Sequence, residues 1–214
     1  MIITPITVGP FEENCYLLAD EASREAVLVD PGDEGERIVR QVERAGVHLN
    51  AIWLTHAHLD HIGGIAAVRR RWMELPIHLH PMDEPLYAAG AMQAAHYGLP
   101  FEEPPPSDRP LADGDVLEVG MLRFRVLHVP GHAPGHVAFE GHGVVFGGDC
   151  LFAGSVGRTD LPFASSAELT RSLERLCALP DDTTVHPGHG SATTIGAELA
   201  TNPFLTGLQR VSSR

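Results

Sequence analysis

Residues 55–64 read THAHLDHIGG and set His56, His58, Asp60 and His61 within one short segment. All four are side chains that bind divalent cations. An apolar run, AIWLT, leads into the segment, and a helical pattern follows it. On a single helix, positions 56, 58 and 60 would face different ways. At a strand end, alternate residues share a side, and the turn into a helix brings the next pair around. Gly63 and Gly64 let the backbone pass close by. Four donors in one segment are more than a tetrahedral zinc with an open position needs. The spacing therefore points to two adjacent cations sharing a water.

Three later turns offer partners. VPGH places His132 after a strand, FGGD places Asp149 after another, and HPGHG places His189 in a third. Asp149 closes an apolar run, where a lone carboxylate is costly. Taken singly, each could equally be a satisfied turn residue. Together they place donors beyond several strand ends, where the loops of one sandwich edge converge.

These turns need strands and helices to hold them. Residues 2–8, 14–20 and 25–29 alternate as strands, the last ending in the turn Asp30-Pro31-Gly32. Residues 34–45 carry Ile38, Val39, Val42 and Ala45 at helical spacing, with Gly46 as the stop. The pattern predicts strands at 51–55 and 77–80, helices over 62–73 and 83–97, and a five-proline loop over 100–110. The second half repeats the rhythm. It shows hairpin strands at 116–119 and 122–129, two strands in HVAFEGHGVVFGGD, and a helix over 165–178 capped by Ser165 or Ser166. A strand in TTVHPGHG and a final helix over 193–201 complete it. Strands with flanking helices in both halves, and no linker between them, predict two packed sheets with helices outside, as one domain over 1–214.

Composition narrows the function. The net charge is −13 over 214 residues, and every basic side chain is arginine. Nucleic acid is excluded as a partner for want of a basic face; Arg69, Arg70 and Arg71 point different ways around a helix. Without lysine there is no Schiff base and no lysine anion clamp. No stretch approaches the roughly 20 apolar residues of a membrane helix, and the N-terminus shows no secretory pattern. Cys15, Cys150 and Cys177 are too far apart to pair by spacing. They read as reduced thiols, which sets the expected location in the cytoplasm.

In chain order, THAHLDHIGG, PGHAPGH, GGDCLFAGSVGRTDLP and PGHG resemble the metal-binding motifs of the metallo-β-lactamase superfamily, most nearly its short glyoxalase II-like hydrolases. The resemblance spans nearly the whole chain. It implies an α/β (α+β) fold, a four-layer αββα sandwich, with a dinuclear centre at one edge of the sheets. By position it assigns His56, His58 and His132 to one cation, Asp60, His61 and His189 to a second, and Asp149 to both. Asp30 matches a place beneath the site from which a carboxylate orients a ligand imidazole. The cofactors expected are two divalent ions, zinc first, with iron or manganese as alternatives.

The implied activity is hydrolysis of a thioester such as S-lactoylglutathione by a metal-bridging hydroxide, with Asp60 as the catalytic carboxylate that orients it. A thiolate leaves with little help, which suits a site lacking an obvious general acid. The classical enzymes carry a C-terminal helical extension and glutathione-contacting lysines. Only about 25 residues follow His189 here, and lysine is absent. Arg158, with Asp160, reads either as a substrate-binding polar rim or as an ion pair pinning its loop. Phe152 and Phe163 wall a pocket or simply pack. His136 and His186 flank ligands, while His78 and His80 read as ordinary sheet residues. Two other functions stay open at this stage: a persulfide dioxygenase with mononuclear iron, which shares the GRTD segment, and a non-catalytic metal-binding module.

Overall fold

The computed structural model describes residues 1–205; the end of the expected domain, 206–214, lies outside the described residues. In chain order the elements are β1 (Ile2–Val8), β2 (Glu13–Ala19), β3 (Glu25–Val29), α1 (Gly35–Ala45), β4 (His48–Trp53), α2 (Leu59–Ile62), α3 (Ile65–Arg71) and β5 (Ile77–Leu79). A 3-10 turn at Pro81–Asp83 leads into α4 (Glu84–Ala88), α5 (Gly90–Tyr97), β6 (Arg109–Pro110), β7 (Val116–Val119), β8 (Leu122–His128), β9 (Val137–Gly141) and β10 (Val144–Gly148). The chain continues through β11 (Leu151–Phe152), β12 (Ser155–Val156), α6 (Ser166–Cys177), β13 (Thr184–Pro187), β14 (Thr193–Thr194) and α7 (Ile195–Thr201).

Two six-stranded sheets carry the fold, in the orders β1-β2-β3-β4-β5-β6 and β14-β13-β10-β9-β8-β7. The period-two alternation of β2 divides its side chains between two cores. Tyr16 and Leu18 turn inward, with Trp53 of β4, onto Phe124, Phe139 and Phe146 of the facing sheet. Cys15, Leu17 and Ala19 turn outward, beneath Ile38 and Val42 of α1 and Ile65 and Val68 of α3. Across the molecule, Val145 and Val185 meet Leu169 and Leu173 of α6 and Ile195 of α7. Helix, sheet, sheet and helix thus stack as the four-layer αββα sandwich. Among the described residues no helix is long and apolar enough to cross a membrane.

Local differences from the sequence pattern have packing causes. The helix expected over 62–73 starts at Leu59 and breaks at Gly63-Gly64. There Gly64 N donates to Pro31 O at 2.9 Å, and a Cβ on Gly63 would lie 2.6 Å from Gly32 O. The helix expected over 83–97 is two, divided at Ala89, beside which Gly90 lies against the Phe101 ring, 2.4 Å from where its Cβ would be. The proline loop ends as an edge strand, with Arg109 and Pro110 in register with His78 and Leu79. The β11–β12 hairpin carries no period the sequence reveals. Thr193 and Thr194 form a strand rather than a first helical turn, and the Thr194 side chain caps α7 by accepting from Ala197 N.

Candidate metal centre

β3 and β4 run parallel in one sheet, and β10 and β13 run parallel in the other, so their C-terminal ends lie on shared edges. The loops that leave these ends, with the loop after β8, deliver every candidate donor. His56 and His58 follow β4, with His58 extended as the cap of α2; Asp60 and His61 fill the α2 turn. His132 follows β8, Asp149 follows β10 and His189 follows β13. Gly148 enters the Asp149 turn at φ +48°, and a Cβ there would strike Thr55 Oγ1 at 2.4 Å and His136 Nε2 at 2.7 Å. Only glycine tolerates both the angle and the closeness.

All seven side chains come together. His56, His58 and His132 form one group of donors and Asp60, His61 and His189 a second, each group closing to within 4.8 Å. His58 Nδ1 lies 2.9 Å from His132 Nε2, and His189 Nε2 lies 3.3 Å from Asp60 Oδ2. Asp149 stands between the groups. Its Oδ2 is 3.4 Å from His132 Nε2 and 3.5 Å from His189 Nε2, and its Oδ1 is 3.5 Å from His61 Nε2. Most of these separations are long for hydrogen bonds. They suit neighbouring donors on one tetrahedral cation, which stand roughly 3.3 Å apart when the bonds are about 2.0–2.1 Å. His56 Nε2, His61 Nε2 and Asp149 Oδ1 are buried without a hydrogen-bond partner. Buried polar atoms are rarely left so, and these three point to a cation as the missing partner.

Outer contacts fix which nitrogen is free. His61 Nδ1 donates to Asp30 Oδ2 at 3.0 Å, His132 Nδ1 to Arg158 O at 2.9 Å, and His189 Nδ1 to Phe11 O at 3.0 Å. Asp30 also accepts from Thr55 N at 2.7 Å and Thr55 Oγ1 at 2.6 Å. With its proton so committed, the Thr55 oxygen accepts from His56 Nδ1 at 3.1 Å. In all four imidazoles the Nδ1 proton is held by these contacts, which turns Nε2 inward as the atom that would ligate. Asp30, His56 and His61 also lie close enough to form a third donor group. Both Asp30 oxygens are already engaged, so its part is to orient.

The electrostatics favour positive charge at one end and neutral ligands at the other. Burial works against charge on His61, yet the Asp149 and Asp30 carboxylates hold it well above its ordinary pKa. His189, with burial likewise opposing, is lifted to about 10 by Asp149 and Asp60. Burial and the surrounding imidazoles push His56 well below its usual value, and burial with His132 brings His58 to about 3. Burial would raise Asp149, but His61 and His189 hold it well below the carboxylate range. A divalent cation binds neutral imidazoles and ionised carboxylates, so it would displace the protons that Asp149, Asp60 and Asp30 draw onto His61 and His189.

Three further residues join the centre: His136, for which the sequence leaves a supporting and a plain structural role equally open, and two acids it does not mark. His136 is fully buried, stacks on His56 at 4.8 Å and accepts from Asp149 N at 3.0 Å. Asp83 accepts from Ala57 N at 3.0 Å and Gly135 N at 2.5 Å, clamping the His56–His58 loop to the His132 loop. Glu13 is fully buried with both carboxylate oxygens unpartnered, 3.9 Å from His61 Nδ1, and burial pushes its carboxyl well up. Neither acid has a sequence signal, since the partners of Asp83 are 26 and 52 residues away. His78 lies on β5, outside the donor groups, and His80 stacks on His128 at 4.3 Å. Arg158 forms the ion pair, bidentate to Asp160 at 2.7 and 2.8 Å, and both residues also line the cleft above the donors.

A profile of the Metallo-beta-lactamase superfamily matches residues 8–189. The hydroxyacylglutathione hydrolase GloC of Haemophilus influenzae is 38% identical over 209 residues, covering 96% of this chain and 98% of its own. Among solved structures, TTHA1623 in a di-iron-bound form matches with a TM-score of 0.88 at 48% identity, over 94% of this chain and 100% of its own. The BLEG-1 B3 metallo-β-lactamase matches with a TM-score of 0.89 at 38% identity, over 96% and 100%. The donor groups and the di-iron neighbour together support a dinuclear metal site.

Proposed function

The chain belongs to the metallo-β-lactamase superfamily, and on that premise we propose that it is a metal-dependent hydrolase that cleaves a thioester such as S-lactoylglutathione. His56, His58 and His132 would hold one cation and Asp60, His61 and His189 the other, with Asp149 between the two groups. Zinc is the first candidate, with iron or manganese as alternatives. Two adjacent divalent cations lower the pKa of a shared water and polarise an acyl carbonyl. Asp60, at the floor of the cleft beside His189, accepts a hydrogen bond from the attacking water and aims it at the acyl carbon. Asp30 holds His61 by Nδ1 so that Nε2 is the atom offered to a cation, and His136 holds the Asp149 backbone in place. The chain has no lysine to act as a general acid, and a thiolate leaving group needs none. The three free thiols, Cys15, Cys150 and Cys177, support placing the enzyme in the cytoplasm, acting on a small molecule.

One observation carries this reading. His58, Asp60, His132, Asp149 and His189 form the floor of a cleft of about 780 Å³, donors of the two groups stand 2.9–3.5 Å apart, and the Nε2 atoms of His56 and His61 with Asp149 Oδ1 are buried with no other partner. The test is elemental analysis of the purified protein beside a thioester-cleavage assay. Two ions per chain and cleavage are expected, with Asp149→Ala losing both. Retention of metal and activity in Asp149→Ala overturns the bridging role. One iron per chain with oxygen uptake on glutathione persulfide gives an oxygenase instead.

A further inference from the structure

The cleft walls, rather than its floor, bear on which thioester enters. One wall is α4 and α5, with Leu86, Met92 and Tyr97; the other is the segment after β10, with Phe152, Leu161 and Phe163. Isolated exposed apolar side chains are ordinary on a protein surface. Here they converge. Met92 is 71% exposed, Phe163 70%, Tyr97 48% and Phe11 37%, and all four line this one cleft. Phe11 and Tyr97 meet edge to face at 5.1 Å within its lining. A second cavity of about 330 Å³, lined also by Met82 and Pro134, shares Pro85, Leu86 and Phe163 with the first. The apolar lining therefore continues from the cleft into this second cavity.

Phe163 stands where the two cavities meet, with φ at +67°. A bulky residue in this region is an outlier, and such strain gathers at ligand clamps. The methionines add a surface that adapts to its ligand. The charge inventory runs the other way. Among the described residues the cleft holds one guanidinium, Arg158, and both of its forked contacts go to Asp160. An anionic peptide thiol would meet Asp160 and no unengaged arginine or lysine.

We infer that the thioester this cleft selects carries an uncharged, apolar arm, laid along Met92, Tyr97 and Phe163, and not the anionic peptide of glutathione. The inference rests on the hydrolase reading and narrows its substrate class. Affinity then comes from apolar area removed from water, which rises with arm length.

Uncleavable thioethers test it on the metal-loaded protein. Calorimetric Kd values are measured for S-butyl, S-hexyl and S-octyl N-acetylcysteamine, and for S-hexylglutathione. Each methylene is expected to tighten binding about fourfold, the equivalent of ~0.8 kcal/mol, and S-hexylglutathione is expected to bind no tighter than its neutral counterpart. Met92→Ser and Phe163→Gly, at positions exposed enough to leave folding intact, are expected to flatten the series. A flat series in the unaltered protein, or S-hexylglutathione binding tenfold tighter, overturns the inference. Thioethers are not turned over, so the two readings separate. A length-dependent series with no acyl thioester cleaved removes the hydrolase and keeps the apolar cleft; cleavage with a flat series does the reverse.

Discussion

Replacing Asp30 by Asn tests whether the proton on His61 is set from beneath the centre. The side chain keeps its size, and asparagine tolerates the left-handed backbone that Asp30 adopts at φ +49°. The carboxylate accepts three hydrogen bonds, from Thr55 N, Thr55 Oγ1 and His61 Nδ1, at 2.7, 2.6 and 3.0 Å. An amide oxygen can keep the first, but the NH2 group then faces the other two. His61 Nδ1 must become an acceptor, and its proton moves to Nε2, the atom 3.5 Å from Asp149 Oδ1. A cation must displace that proton to bind. Losing an orienting partner of this kind typically costs 10–100-fold in metal affinity. Replacing charge-assisted hydrogen bonds by neutral ones costs the fold about 1–3 kcal/mol. The loss should be uneven, since His61 loses its own partner, whereas His58 and His132 do not touch Asp30 and His56 reaches it only through Thr55 Oγ1. Competition with a chromophoric chelator is expected to show one ion weakened at least tenfold and the other weakened less, with the metal-free protein still folded in urea titrations. Equal weakening of both ions, or none, refutes the tautomer argument.

Gly188→Ala places a Cβ 2.2 Å from Asp149 Oδ1 and 2.8 Å from His61 Cε1, so metal content measured by elemental analysis should fall below one ion per chain while the fold persists by circular dichroism. His78→Ala should leave two ions bound, because His78 lies on β5 away from the donors; a matching loss of metal would show that the wrong histidines were assigned. Burial, opposed by two backbone N–H donors, brings the Asp83 carboxyl up to about 6. A carboxyl raised above its unfolded value of about 3.9 stabilises the fold most below that pH, and its contribution is lost as pH climbs toward 6. Between pH 4 and 6 the stability of Asp83→Asn should therefore rise relative to the unaltered protein; an unchanged difference across that window contradicts the shift.

What the sequence made legible was whatever a short segment encodes by itself. His56, His58, Asp60 and His61 announce themselves because four ligand-type residues crowd one turn, and the Pro-Gly and Gly-Gly pairs before His132, Asp149 and His189 mark turns at strand ends. The alternation of β2 and the periodicity of α1 are equally local, and both elements lie where the pattern set them. Gly63-Gly64 and Gly90 lie at the breaks in two expected helices, and their neighbours, Gly32 and Phe101, come from elsewhere in the chain. The same physics hid Asp83 and Glu13. An acid reads as solvated until the fold encloses it, and Asp83 becomes a clamp only when Ala57 and Gly135 arrive from distant segments to donate to it. Arg158 was legible in both of its alternatives. Only the folded loop shows that its guanidinium faces Asp160 while its carbonyl holds His132. Ligand chemistry is thus written in residue type and spacing, whereas the groups that orient ligands are chosen by tertiary contact. The cleft falls between the two, because its apolar walls are ordinary residues whose exposure, and not whose identity, marks them.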